Sequence, residues 1–157
     1  MKINQLTSKT PYQPELKDLY RIYQFIVLNK RTTVLEFGCG WSTLIISEAL
    51  NFLRKKYFKD VKKLRRQNPF ELFVIDNEKK SLNIVKKNLN RYLKQNKTRV
   101  NYHFSNANMT IYNERISTEF KTLPKCNPDF IYLDGPDQFN IKGKAKGINI
   151  GHIDFMP

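Results

Sequence analysis

The sequence predicts an α/β fold, built as a doubly wound and mainly parallel sheet with helices on both faces. Short apolar runs typical of buried strands alternate with longer stretches in which apolar residues recur at helical spacing. The resulting order, helix–β–α–β–α–β–α–β, is that of strands joined by helical crossovers, which pair in parallel. In addition, glycines and polar residues of unusual type fall where these strands end, which is where open parallel sheets bind ligands.

The predicted elements follow one another without internal repeats. In chain order they are a lead-in over 1–13, a helix over 14–29, a strand over 32–37, a glycine turn over 38–42, a long helix that Asn68 and Pro69 stop, a strand over 70–75, a helix from Glu78 to Leu93, a strand over 99–105, a helix from Ile111 to Phe120, a strand from Asp129 to Leu133, and a glycine-rich tail. Pro14 occupies a first-turn position that helices tolerate, and Ser42 or Thr43 can cap the long helix. The tail is expected to be mainly loop.

Length and composition predict one domain, assigned to 14–157. The chain has 157 residues, of which 40% are hydrophobic, enough to bury a single core and to exclude general disorder. No apolar run reaches the roughly 18 residues that a membrane span needs, and the N-terminus lacks the apolar region of a secretory signal. Cys39 and Cys126 are the only cysteines, which argues against a disulfide framework and a zinc site. We expect a cytoplasmic protein with no membrane partner.

The formal charge of +14 has two explanations. A polyanion such as nucleic acid would account for it, with the basic segment 54–67 as the binding surface. The alternative is compositional bias, since the chain has 20 Lys, 16 Asn and 14 Ile but only 3 Ala, as an AT-rich genome tends to produce. Lysine outnumbers arginine 20 to 8, whereas bidentate recognition of phosphate or guanine favours arginine. The sequence therefore favours a solvated surface and leaves nucleic acid as the alternative.

The glycine turn after the first strand predicts a ligand site. Gly38 and Gly40 let the backbone approach a ligand closely and present N–H groups at the start of a helix. Thr43 replaces the third glycine of the dinucleotide fingerprint, and the GK[ST] of a phosphate-binding loop is absent. Glu36 lies two residues before the first glycine, where a carboxylate would repel a pyrophosphate but suit an ammonium or sulfonium group. The pattern favours an amino-acid nucleoside over NAD.

VLEFGCGWST resembles motif I of the class I, Rossmann-like S-adenosylmethionine-dependent methyltransferases. The resemblance covers about residues 30–137. It implies a Rossmann-like methyltransferase fold and S-adenosylmethionine as the cofactor, with Glu36, Gly38 and Gly40 among the residues that bind it.

Three further motifs follow in the family's order. Asp76, in FVIDNE, matches the acid with which such enzymes hold both ribose hydroxyls. Asn106 and Ala107 follow the third strand, where the family often has an acid that contacts the adenine amino group, and an Asn oxygen can accept that hydrogen bond. PDFIYLDGP resembles motif IV and implies that Asp134 faces the methyl-transfer site as the catalytic candidate.

The chain departs from the family in three places. The gap from Gly40 to Asp76 is longer than the usual ~20 residues because the basic segment 54–67 extends the helix. Motif IV is DGPD rather than [ND]PP[YF], and no Pro-Cys nucleophile is present, which argues against amino-methylation of adenine or glutamine and against cytosine C5 methylation. The family's later strands would follow Pro157, so we expect a methyltransferase truncated after its fourth strand and incomplete at its C-terminus.

The leading hypothesis is a methyltransferase that transfers a methyl group to a small-molecule or sugar-like acceptor. Asp134 would act as the general base for an oxygen nucleophile, or would only orient the substrate. The alternatives are an RNA methyltransferase that uses 54–67 to track phosphates, and a non-catalytic nucleoside-binding module. No metal is expected, because Asp134 and Asp137 lack the later Asp-Asn pair that cation-dependent relatives need.

Several residues also have a structural explanation. Asp76 could cap the following helix, and Asp134 could form a turn before Gly-Pro. Trp41 could line the ligand site or anchor the N-terminal helix. The strand position of His103 favours a structural role, and a role as a base is the less favoured explanation for His152 in the tail.

Overall fold

The computed structural model describes residues 14–92, 95–137 and 140–147. The predicted lead-in over 1–13 and His152 lie outside the described residues. In chain order the elements are α1 Leu16–Leu28, β1 Thr33–Phe37, α2 Trp41–Val61, β2 Glu71–Asp76, α3 Lys79–Tyr92, β3 Arg99–Phe104, β4 Ala107–Tyr112, β5 Arg115–Phe120 and β6 Phe130–Leu133. Every predicted strand is therefore present, and the first three predicted helices are too.

Four strands form one parallel sheet in the order β3-β2-β1-β6. In the register of this sheet Leu35 of β1 pairs with Phe73 of β2 on one side and with Ile131 of β6 on the other. Counted within the sheet, the order is the 3-2-1-4 arrangement of doubly wound proteins, and the direction of winding reverses between β1 and β6. The predicted parallel sheet is confirmed, and this reversal fixes where a ligand cleft would lie.

The three helices pack on one face of the sheet. Val34, Leu72 and Val74, alternate residues of β1 and β2, lie in a buried cluster with residues of α1, α2 and α3. Leu50 of α2 and Ile26 of α1 are fully buried there, and α1 packs mainly on α2. Each helix thus buries its apolar stripe between the sheet and its neighbours, as the helical spacing in the sequence predicts.

The predicted helix from Ile111 to Phe120 is wrong. Residues 107–120 form an antiparallel hairpin, β4–β5, whose turn residues Asn113 and Glu114 both have positive φ, 47° and 65°. Two consecutive positive φ angles are typical of the tight turns that match strand twist, and β-branched residues such as Thr110 and Ile116 favour strands. The turn has no glycine, so the sequence lacked the usual hairpin signal.

The hairpin covers the second face of the sheet. Leu35 and Phe73, which point away from the helices, form a buried cluster with Ala107, Met109 and Phe120 of the hairpin. Among the described residues the prediction of helices on both faces is therefore wrong: the sheet lies between a helical layer and a β-hairpin. The coarse α/β class holds.

The amino ends of the strands are joined by a carboxylate. Asp129, just before β6, accepts hydrogen bonds from the backbone N–H groups of Thr32 and Thr33 at 2.9–3.0 Å. Arg66 forms an ion pair with the same carboxylate at 2.7 Å. The chain after α2 therefore folds back onto this end of the sheet, and the helix ends at Val61, before the predicted stop at Asn68 and Pro69.

Candidate functional site

The carboxyl ends of β1, β2 and β6 bring the predicted glycine turn against two neighbouring strands. The N–H of Gly38 donates to the carbonyl of Ile75 in β2 at 2.8 Å. On the other side, the N–H of Asp134 donates to the carbonyl of Phe37 at 2.8 Å. The turn thus lies at the point where the winding reverses, the position at which open α/β sheets bind ligands.

Gly38 and Gly135 let two loops meet backbone to backbone. Gly38 has a φ of 87°, and a Cβ there would lie 2.6 Å from the carbonyl oxygen of Asp134. A Cβ on Gly135 would lie 2.7 Å from the Cα of Gly38. The structure therefore explains Gly38 by chain packing, without requiring a ligand.

Gly40 differs from Gly38, because a Cβ there would meet no atom within 4 Å. It is the N-cap residue of α2, and its N–H donates to Oγ1 of Thr43 at 3.0 Å. The predicted N-cap at Ser42 or Thr43 is therefore wrong, and Thr43 instead accepts the N–H of the N-cap residue from the third position of the helix. The open space beside Gly40, at a helix start, is available to a ligand.

Glu36 is the most unusual side chain at this edge. It is fully buried, and its Oε1 accepts a hydrogen bond from the Ser42 hydroxyl at 2.5 Å. Its Oε2 is buried with no hydrogen-bond partner among the described residues. Burial raises the pKa of Glu36 to about 8, hydrogen bonds with the Ser42 and Thr43 side chains oppose the increase, and the charges of Asp134 and Asp76 add to it.

Ser42 connects Glu36 to Asp134. Its hydroxyl also lies 3.4 Å from Oδ2 of Asp134, so it is placed between two carboxyl groups. Asp134 is exposed as a residue, yet partial burial of its carboxyl group raises the pKa, against the hydrogen bond from Ser42. The sequence offered Ser42 only as a helix cap, because its tertiary neighbour lies 92 positions away.

Asp76 fulfils the structural role that the sequence allowed, at the start of α3. Its Oδ1 accepts the N–H of Glu78 at 2.7 Å, which supports the start of α3, and the Cys39 thiol donates a hydrogen bond to the carboxylate. Burial raises the pKa of Asp76. The Asp76 residue is only 4% exposed, so a ribose contact there requires a ligand seated deeply against the turn.

Asn77 fastens the loop after β6 to the end of β2. Its amide nitrogen donates to the carbonyl of Asp137 at 3.0 Å, and its Oδ1 accepts the N–H of Asp137 at 2.9 Å. This pair of hydrogen bonds was not predicted from the sequence. An Asn beside a strand-end Asp is the signal, although its partner is visible only in the fold.

The two residues predicted to contact adenine are placed differently from each other. Asn106 is partly exposed, in the turn after β3, and its carbonyl accepts the N–H of Lys121. The N–H of the preceding Ser105 donates to the carbonyl of Asp76, so this turn lies at the same edge of the sheet. Ala107 is fully buried in the cluster under the hairpin. The structure therefore offers Asn106, but not the Ala107 side chain, to a ligand.

The structural explanation of His103 gains support, whereas the packing of Trp41 on the core does not test its anchoring of α1. Trp41 is partly buried and packs against the core on the helical face. The Nε2 of His103 lies 2.9 Å from Oγ1 of Thr122, which ties β3 to the chain after the hairpin. Neither residue is needed to describe the site.

Three acidic side chains lie at this edge of the sheet, and no basic side chain among the described residues forms an ion pair with them. The described residues form no ion pair to Glu36, Asp76 or Asp134, whereas pairs such as Arg66–Asp129 lie elsewhere. In the part of the chain that the structure describes, no group of three or more His, Cys, Asp or Glu residues could hold a metal ion. The arrangement is suited to a ligand with positive charge of its own.

Comparisons with known proteins give no relative. No protein-family model matches the chain, and neither a curated protein nor a solved structure matches it. None of the helices in 14–92, 95–137 and 140–147 combines the length and apolar character needed to cross a membrane.

Proposed function

We propose that the chain is an S-adenosylmethionine-dependent methyltransferase acting on a small-molecule or sugar-like acceptor. The observation that carries the proposal is Glu36, a fully buried carboxylate with an unpartnered Oε2 beside a glycine turn. Burial makes the charged form of this carboxyl group costly, as its raised pKa reflects, and a cationic ligand would offset that cost by supplying the opposite charge.

The residues at this edge fit a nucleoside that carries an amino acid. Glu36 would hold the cationic end, and the open space at Gly40 would admit the ligand against the start of α2. Asp76 would accept hydrogen bonds from the ribose, and Asn106, at the end of β3, would face the base. A dinucleotide fits less well, since its pyrophosphate would lie against the charges of Glu36 and Asp134.

Asp134 is the proposed proton acceptor. A sulfonium donor supplies an already activated methyl group, so the protein's task is mainly to align the acceptor. An acceptor hydroxyl at Asp134 would lose its proton to Oδ2 as its oxygen forms the new bond to the methyl carbon, while the bond from that carbon to sulfur would break and the neutral thioether would leave. The increased pKa of Asp134, caused by partial burial, makes this carboxylate a better base than an exposed aspartate.

Calorimetric titration tests the proposal. The wild-type chain should bind S-adenosylmethionine, and its neutral thioether product should bind more weakly because it lacks the sulfonium charge. Glu36→Gln preserves shape and removes the charge, so it should reduce this difference. Failure of the wild-type chain to bind either compound would contradict the assignment. Binding without methyl transfer to any acceptor would leave a nucleoside-binding module.

A further inference from the structure

Exposed cations are concentrated at the C-terminal end of α2. This basic surface comprises Lys30, Lys55, Lys56, Lys59, Lys62, Lys63 and Arg65, all of them exposed. Lys30, which follows α1, is placed there because its Nζ lies 5.3 Å from the centre of the Tyr57 ring. Asp60 is the only acid within 54–67. The surface therefore carries a large net positive charge.

The fold uses two of the three arginines of this segment and leaves Arg65 and the lysines exposed. Arg66 pairs with Asp129, and Arg54 donates to the carbonyl of Lys97 at 2.5 Å. Among the described residues, no member of the basic surface forms an ion pair or a side-chain hydrogen bond. Their charge is thus available to a partner.

Aromatic rings lie among these cations. The Tyr57 ring has the ammonium groups of both Lys30 and Lys56 at 5.3 Å from its centre. Phe58 is 48% exposed, with the guanidinium of Arg54 5.7 Å from its ring. Cations with accessible rings between them are typical of surfaces that follow a nucleic-acid strand.

The helix cannot offer its apolar side to a lipid bilayer. Leu50, Leu53 and Val61 of α2 are buried in the core against the sheet and α1. A helix that inserts into a membrane interface needs that side free. What remains exposed is mainly charge, which suits a partner recognised electrostatically.

We propose that the basic surface binds the phosphate backbone of a nucleic acid, without reading its sequence. Lysine ammonium groups act as point charges towards phosphates, and base recognition would favour arginine. The surface lies towards the end of α2 opposite to Gly40, and Lys55, its first residue on the helix, is 15 residues or about 22 Å from Gly40. The basic surface is thus separate from the edge of the sheet that holds Glu36, Asp76 and Asp134. A test of nucleic-acid binding there does not depend on whether the chain binds a methyl donor.

The test uses a labelled oligouridylate and, in a second arm, duplex DNA. Lys55, Lys59 and Lys62 lie at i, i+4 and i+7, on one side of α2. Changing all three to Gln should weaken RNA binding by about 10- to 100-fold at low salt. It should also lower the slope of log Kd against log salt by about 2, since each lost phosphate contact on a single strand removes about 0.7.

A matched control distinguishes binding by the basic surface from attraction by the net charge of the whole protein. Lys121, Lys125 and Lys144 are exposed and lie near the hairpin side, so their change to Gln removes the same charge elsewhere. The proposal predicts near wild-type binding for this control. It is overturned if both triple variants lose affinity equally, if wild-type binding is undetectable at about 50 mM salt, or if the α2 variant binds RNA normally. Binding to anionic vesicles but not to either nucleic acid would also overturn it.

Discussion

Ser42 donates its hydroxyl hydrogen to Oε1 of Glu36 across 2.5 Å, inside the protein. This is the shortest contact of the buried carboxyl group, whose Oε2 has no partner within hydrogen-bond geometry among the described residues. The bond links the carboxyl end of β1 to the first turn of α2. Ligand chemistry and local stability therefore depend on the same side chain.

Ser42→Ala should destabilise the protein by about 1–3 kcal/mol, because it removes the 2.5 Å hydrogen bond to the buried Glu36 carboxyl group. Ser47→Ala is the matched control. Ser47 is buried in the same helix, but its hydroxyl has no partner among the described residues, so its loss should cost little. Denaturant unfolding of both variants checks the prediction, which equal costs would contradict.

Stability should fall as pH rises towards 8. The pKa of Glu36 is about 8 in the folded chain against an ordinary 4.5, so the folded state holds this proton more tightly than the unfolded state. The contribution of Glu36 to the free energy of unfolding is then largest below about pH 4.5. It decreases by at most about 1.4 kcal/mol per pH unit up to about pH 8 and is constant above that. Glu36→Gln should flatten this decline in urea unfolding measured across that range. A parallel decline in the variant would assign the proton to Asp76 or Asp134.

Binding of a cationic donor should release a proton. Below pH 8 Glu36 is protonated in the free protein, and a cation beside it favours the charged form. Affinity should increase with pH up to about 8, by at most about tenfold per pH unit. Calorimetry in buffers of different ionisation enthalpy detects the released proton. Glu36→Gln should bind without release, and release unchanged in that variant would point to another group.

The two glycines of the turn should respond differently to substitution. Gly40→Val places a side chain in open space, so the fold should survive while donor binding is lost. Gly38→Ala brings a Cβ within 2.6 Å of the Asp134 carbonyl oxygen at a positive φ, so the fold itself should be destabilised. Thermal unfolding and donor titration distinguish the two effects. Unchanged donor affinity in a folded Gly40→Val protein would move the ligand elsewhere.

The sheet could be predicted because its strands are continuous apolar runs with polar ends, and parallel pairing follows from the helices between them. The hairpin could not, because Asn113 and Glu114 form its turn without glycine and the flanking apolar residues fit two periodicities. Had strands been predicted over 111–120, only three helices would have remained, too few to cover both faces of the sheet.

Which residues meet at the site could be predicted from their positions in the sequence, but the contacts that they make could not. Glu36, Asp76 and Asp134 end three strands, and parallel pairing brings those ends together. The hydrogen bonds of Ser42 to Asp134 and of Asn77 to Asp137 join loops 92 and 60 positions apart. Such contacts depend on the angle at which each loop leaves the sheet, which local sequence does not encode.

The last prediction concerns Asp76, whose carboxylate accepts a hydrogen bond from the N–H of Glu78 and is proposed to accept others from the ribose of the ligand. Asp76→Ala should weaken donor binding by about 10- to 150-fold, since a hydrogen bond to a charged acceptor contributes about 1.5–3 kcal/mol. It should also cost about 1 kcal/mol of stability, because the N–H of Glu78 loses its acceptor. Asp76→Asn separates the two roles, since the amide oxygen keeps that acceptor while the charge is lost. The Asn variant should unfold like the wild type yet bind the donor more weakly, and calorimetry with thermal unfolding measures both. If it binds normally, the carboxylate serves only to begin α3.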